Sequence, residues 1–311
     1  MFRDTFDDHT QLPLKTLAPV KLNLMLRILG RRADGYHRLQ TLFEVLDWGD
    51  EMQFMPQGAS SGWSMKKNQP PVSIDGDFGS LPTRDNLIWR AAAKLWPQAR
   101  RRRSVHVRTV KRIPTGGGLG GGSSNAAVTL RVLNRYWKCG LTSCELARVG
   151  LELGADVPFF VHQKPALASG VGERLKPVFL PVRHYVLVFP TQGLSTADVF
   201  AHPLLPRNSQ TLPVAQAVQP PNWQNDCLPV AQSLCPPLAR SWQAVEKTLA
   251  DFSSPGTYGP HLSGTGSTFF VAFDQAGAAY DFARVLACLG PENFPARIQV
   301  AASRRLVKEK E

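Results

Sequence analysis

Between Leu22 and Ile28 apolar and polar positions alternate, which predicts a strand with Leu22, Leu24, Leu26 and Ile28 on one face and Lys21, Asn23, Met25 and Arg27 on the other. Lys21 and Asn23 are therefore expected to point the same way. A turn through Ala33, Asp34 and Gly35 leads to Tyr36 and His37, and a second strand-like run follows near 41–46. Residues 56–84, rich in Gly, Pro and Ser, read as loops with short strands. An Ala-rich, apolar-periodic helix is expected over 86–96, then an alternating strand around Val105 and Val107.

That strand runs through Pro114 and Thr115 into Gly116, Gly117, Gly118, Leu119, Gly120, Gly121, Gly122, Ser123 and Ser124. Beyond it Ala127, Leu130, Leu133 and Trp137 recur at helical spacing, so the glycine run is a strand-to-helix connection with the helix starting near Ser123. A loop this poor in side chains lets its backbone approach a ligand closely, and the N–H groups of the loop and helix start suit phosphate. Gly122 stands where a Walker A loop needs Lys, and no acidic residue sits where a dinucleotide fold would need one, near Leu141. Thr142 and Glu145 have capping-box spacing for the next helix, which should stop near Gly154 and leave Asp156 just past its end. A buried strand is expected at 185–189, a long surface connection at 203–224, a helix at 238–249, and a strand at 268–273 followed by a helix to about 289. The mixture is α+β.

Charge adds one constraint. With 36 Lys plus Arg against 24 Asp plus Glu the net charge is +12, which favours an anionic partner and leaves nucleotide, nucleic acid and acidic lipid open. The run Arg100–Arg103 is most simply a solvated surface. Five scattered cysteines without a C-x-x-C pair suggest neither zinc nor a disulfide framework, and no stretch resembles a signal sequence or membrane span. A soluble protein of the reducing cytoplasm is expected.

Pro19–Asn23, Asp34–His37, Gly116–Ala127, Leu153–Pro158 and Leu262–Gly266 together, in this order and spacing, resemble the GHMP kinase family. Within it, Ala33–His37 followed by Thr41-Leu42-Phe43, Gly170–Glu173 and Pro206-Arg207-Asn208 are most similar to the branch that phosphorylates the 2-hydroxyl of a methylerythritol carrying a cytidine diphosphate group. The resemblance implies an α+β, two-lobed fold, with a ribosomal-protein-S5-like lobe expected over 12–180, a ferredoxin-like lobe over 181–305, and the active site between them. It implies ATP and Mg²⁺, a small-molecule partner rather than nucleic acid or membrane, and a monomer or weak homodimer.

The same resemblance assigns roles. Asp156 would be the catalytic base and Lys21 its partner. Pro114 to Ser124 would hold the nucleotide. Asn86 would contact its adenosine side or cap a helix. Asn23, Tyr36, His37, Phe43, Thr196 and Phe200 would hold the substrate, the aromatic rings sandwiching the cytosine. Gly264, Thr265 and Gly266, with Ser267, would close against the glycine loop. No carboxylate is assigned to Mg²⁺; the phosphates and Ser124 are the expected ligands. The stretches 60–69 and 210–224 match no motif.

Overall fold

The computed structural model describes residues 12–57 and 69–304; most of the 60–69 stretch lies outside the described residues. Two long antiparallel strands, β1 (Leu14–Arg31) and β2 (His37–Pro56), form its spine. One edge of β2 pairs with β1; the other pairs with β5 (Ala166–Gly170) and, further along, with β4 (Val105–Val110). β3 (Val72–Gly76) and β6 (Arg174–Pro177) complete a six-stranded sheet. A second sheet runs β10-β7-β9-β8, from β7 (His184–Pro190), β8 (Thr257–Leu262), β9 (Phe269–Phe273) and β10 (Ala296–Ala302). The expected α+β arrangement with two lobes is present.

Helices α1 (Leu87–Leu95), α2 (Gly121–Tyr136), α3 (Ser143–Leu151) and α4 (Val157–His162) build the core of the first sheet. Their apolar stripes bury Ile88, Leu95, Leu130, Leu133, Trp137 and Phe160; the spacing made α1 and α2 legible as helices, while α4 carried no such signal. The reciprocal Thr142–Glu145 capping box starts α3 as expected, Thr142 Oγ1 accepting from Glu145 N. On the second sheet lie α5 (Thr196–Ala201), α6 (Val214–Ala217), α7 (Leu228–Leu234), α8 (Pro236–Asp251) and α9 (Ala276–Ala287). Among the described residues no helix is long and apolar enough to cross a membrane.

Three expectations change. The two-face reading of β1 holds only in part, because register shifts between Pro19 and Lys21 and between Asn23 and Met25 alter the phase of the pleat. Leu22, Leu24 and Met25 therefore share one core cluster, while Leu26 and Ile28 enter another. Secondly, α2 begins at Gly121, not Ser123, so the loop's last glycines already belong to the helix. Thirdly, 203–224 is not a mere surface connection. It buries Leu205, Ala217 and Trp223 and is tied to the spine by Gln40, whose amide donates to Leu212 O (2.9 Å) and accepts from Leu212 N (2.8 Å). Side-chain hydrogen bonds rather than a periodic apolar face hold it, so no periodicity announced it.

Candidate active site

The glycine loop, the bulged middle of β1 and the turn after β8 converge on one cleft of about 1300 Å³. The bulges in β1 bring Lys21 and Asn23 to its wall together, as expected from their spacing, with Lys21 Nζ donating to Asn23 Oδ1. Asn23 in turn donates from Nδ2 to Thr41 Oγ1 (2.8 Å), and Thr41 donates to Met25 O (2.6 Å), so the amide is oriented by a chain of bonds along the two spine strands. Lys21 is almost fully buried, its ammonium 5.0 Å from the centroid of the Phe43 ring and 3.6 Å from Asp156 Oδ2. A lysine taken this far out of water requires compensating partners; the carboxylate, the amide and the ring face supply them.

Asp156 lies past the end of α3, as the sequence suggested. It is also the N-cap residue of α4, yet its side chain makes no capping bond; Pro158, in the helix's first turn, has no N–H that would need one. The carboxylate is thus left for the cleft, where it stands against Gly120: a Cβ there would lie 3.5 Å from Asp156 Oδ2 and only 2.7 Å from the Phe160 ring. Gly120 also adopts φ 72°, the left-handed region that favours glycine. Gly118 is similarly constrained, with φ +71° and a Cβ position 2.3 Å from Ser263 O. The loop is therefore glycine-rich partly because another backbone lies against it.

That other backbone is the Ser263–Ser267 turn. Ser263 Oγ donates to Gly118 O (3.3 Å) and accepts from Asn23 N (3.2 Å), while Lys21 N donates to Leu119 O (3.1 Å). Gly264 and Thr265 reach the wall; Gly266 stands behind it, its carbonyl facing Gly118. Thr265 Oγ1 lies 3.1 Å from Thr196 Oγ1 at the start of α5, and Phe200 of the same helix lines the cleft further along. Asn225 braces the turn from outside, donating to Leu262 O and Gly264 O at 2.8 Å each. Nothing in the 203–224 pattern pointed to Asn225 or to its neighbour Asp226, which accepts from Ile28 N (2.6 Å) of β1.

From Pro114 to Ser123 every residue lines the cleft, with backbone N–H groups and the start of a sixteen-residue helix at its floor. Besides Gly266, four expected site residues lie off the wall. Ser124 is wholly enclosed beneath the loop, its hydroxyl unpartnered among the described residues; starting α2 two residues early turns Ser123, not Ser124, to the cleft. Asn86 is buried as the N-cap of α1, accepting from Ile88 N (2.9 Å), and its neighbour Leu87 takes the wall. Tyr36 is 66% exposed and off the wall. His37 is buried behind Phe200, the two rings stacked at 5.0 Å and 20°, so these rings face each other rather than flanking an open slot.

A model described as the GHMP kinases N terminal domain matches residues 86–164, spanning the glycine loop and Asp156. A curated relative from Pseudoalteromonas translucida (strain TAC 125), named 4-diphosphocytidyl-2-C-methyl-D-erythritol kinase, is 43% identical over 85% of this chain and 86% of its own length. The chain belongs to the 4-diphosphocytidyl-2-C-methyl-D-erythritol kinase family. A relative of the same name from Haemophilus ducreyi (strain 35000HP / ATCC 700724) is 40% identical over 84% of the chain and 86% of its own length. A crystal structure of a 4-(cytidine 5'-diphospho)-2C-methyl-D-erythritol kinase superposes with TM-score 0.76 at 31% identity, covering 93% of this chain and 98% of that one. The L. major mevalonate kinase structure, at TM-score 0.58 and 15% identity over 95% of this chain and 99% of its own, shares the fold alone. The Ala33–His37 turn and the Pro206-Arg207-Asn208 stretch meet at Phe200, His37 stacking on its ring and Arg207 donating to its carbonyl.

Proposed function

We propose that this chain transfers the γ-phosphoryl group of ATP to the 2-hydroxyl of 4-diphosphocytidyl-2-C-methyl-D-erythritol, giving the 2-phosphate and ADP. The observation that carries this reading is the Lys21–Asp156 pair, set beside the glycine loop in a family member's cleft. Asp156, free of any capping bond, accepts the hydroxyl proton as the substrate oxygen bonds to the γ-phosphorus and the bond to the ADP oxygen breaks. Lys21 holds the carboxylate in place and offsets negative charge on the transferring group. The amides of Gly116–Gly122 and the α2 N-terminus cradle the phosphates.

Magnesium would enter with the nucleotide. Phosphate oxygens and water would supply most of its ligands, as this ion prefers. Ser123 and Asp156 are the wall oxygens beside the loop that can complete the set. Its contribution is to neutralise charge on the phosphates.

Phe43, Thr196 and Phe200 on the wall, with His37 behind, form the substrate end of the cleft. Five free thiols support a reducing, cytoplasmic setting. Product analysis by ³¹P NMR tests the transfer: a new phosphomonoester on C2 is expected, and a product phosphorylated on another carbon would contradict the assignment.

A further inference from the structure

Pairing between β2 and β4 ends at Glu51 and Val110, and the chain then leaves the sheet for the glycine loop. The N–H groups of Arg112 and Ile113 have no ladder partner there, and a side chain takes the ladder's place. Asp50, one residue before Glu51 on β2, accepts from Arg112 N (2.8 Å) and Ile113 N (3.0 Å) through Oδ1 and from Lys111 Nζ through Oδ2. The carboxylate is fully buried, which a charged group tolerates only with donors of this kind.

The donors come from three consecutive residues, and all three residues line the cleft. Ile113 packs against the start of α2, where a Cβ on Gly121 would lie 3.1 Å from Ile113 Cγ2, and Pro114 opens the loop directly after it. From the other lobe Arg297 of β10 donates to Arg112 O (3.2 Å), so the backbone of Arg112 is held on both sides.

We propose that Asp50 is a positioning residue: it fixes the take-off of the glycine loop, and with it the nucleotide end of the cleft, without touching either substrate. The inference rests on the function proposed above, in which the loop amides cradle the phosphates. A buried ion pair is by itself weak evidence of a stabilising role; what marks this one is where its donors lie. A carboxylate kept for stability alone could draw on any neighbouring element, whereas Asp50 gathers the last three residues before Pro114. Backbone donors bind an anion best when they are already aimed, because ordering them on binding costs affinity. Asp50 supplies that aim from a strand of the spine. The acceptor end of the cleft, at Phe43, Thr196 and Phe200, lies outside this set of bonds.

Titration with ADP and Mg²⁺, hydrogen–deuterium exchange and steady-state kinetics on the full chain test the proposal together. Asp50→Asn keeps Oδ1 for the two amides but sets an NH₂ group against the Lys111 ammonium; Asp50→Ala removes every one of these bonds. The dissociation constant for ADP should rise about tenfold in the first and about 10²-fold in the second, the scale of one and of several hydrogen bonds to a charged group. KM for ATP should follow, with KM for the cytidine-bearing acceptor unchanged. Amides of residues 111–118 should exchange faster in both variants, and those of β4 as before. Glu51→Gln, which breaks the neighbouring Arg112–Glu51 ion pair and spares the bonds to Asp50, is the control and should alter neither ADP affinity nor exchange. Folded Asp50 variants with a lower melting temperature but unaltered ADP affinity would overturn the proposal, and so would equal rises in both KM values. If Asp50→Ala does not fold, Asp50→Asn decides by the same criteria. Unmodified protein that takes up no ADP would instead contradict the function proposed above, with exchange at 111–118 still deciding whether Asp50 holds the loop.

Discussion

Lys21 Nζ lies 3.6 Å from Asp156 Oδ2, joining the spine strand β1 to the N-cap residue of α4 beside the glycine loop. The lysine is buried and the carboxylate partly open, an asymmetry that suits a fixed cation beside a group that must reach a substrate proton. Replacing Asp156 by Asn keeps the shape and removes the base. Turnover should fall by about 10²–10⁴, the range for a lost general base, while ATP affinity and melting temperature change little. Near-normal turnover would remove Asp156 from this role.

Lys21→Met retains the apolar stem against Phe43 and deletes the charge. A loss of about 10²–10³ in kcat is expected, comparable to removing one preorganised electrostatic group, with smaller effects on either KM. If instead both KM values rose and kcat held, Lys21 would be a binding residue only.

Gly118→Ala places a methyl 2.3 Å from Ser263 O at φ +71°. The left-handed backbone alone costs about 1–2 kcal/mol, and the Ser263–Ser267 turn must move away from the loop. Displacements near 1 Å in a catalytic frame can cost about 10²-fold, so kcat/KM should fall on that scale with the protein still folded. Gly277→Ala in α9, where no atom stands within 4 Å of the new methyl, is the control and should be neutral or stabilising.

Glu44 is buried where β2 meets the second sheet, accepting from Val45 N (3.1 Å) and Ser303 Oγ (3.3 Å). Burial pushes its carboxyl up to about 8, opposed by those bonds and by Arg183. The folded state therefore holds a proton that the unfolded chain releases near 4.5. The sign follows: this group's contribution is fully present below about 4.5 and is lost as pH rises towards 8. Glu44→Gln should match the unmodified protein in melting temperature at acidic pH and exceed it increasingly up to pH 8. A difference independent of pH would show that Glu44 does not titrate in this window.

The sequence was informative where a local signal existed. Capping residues marked α3, apolar spacing marked α2, and the Lys21–Asn23 alternation placed two wall residues together although a bulge lay just beyond them. Boundaries shifted where glycine erased the signal: α2 starts inside its own glycine run, and this exchanged Ser124 for Ser123 at the wall. Long-range supports left no local trace. Asn225, Asp226 and Gln40 act through side-chain hydrogen bonds to backbone far away in sequence, and no period or turn pattern encodes such pairings. Tyr36 and His37 adjoin in sequence, yet one is exposed and the other buried against Phe200, because Tyr36 still belongs to the turn while His37 opens β2.

The central claim is tested most directly by ADP release from the purified protein with ATP and Mg²⁺, offered 4-diphosphocytidyl-2-C-methyl-D-erythritol, mevalonate, homoserine and galactose in parallel. Turnover of the cytidine-bearing acceptor alone is the predicted result. Turnover of another acceptor in its place, by folded protein, would contradict it.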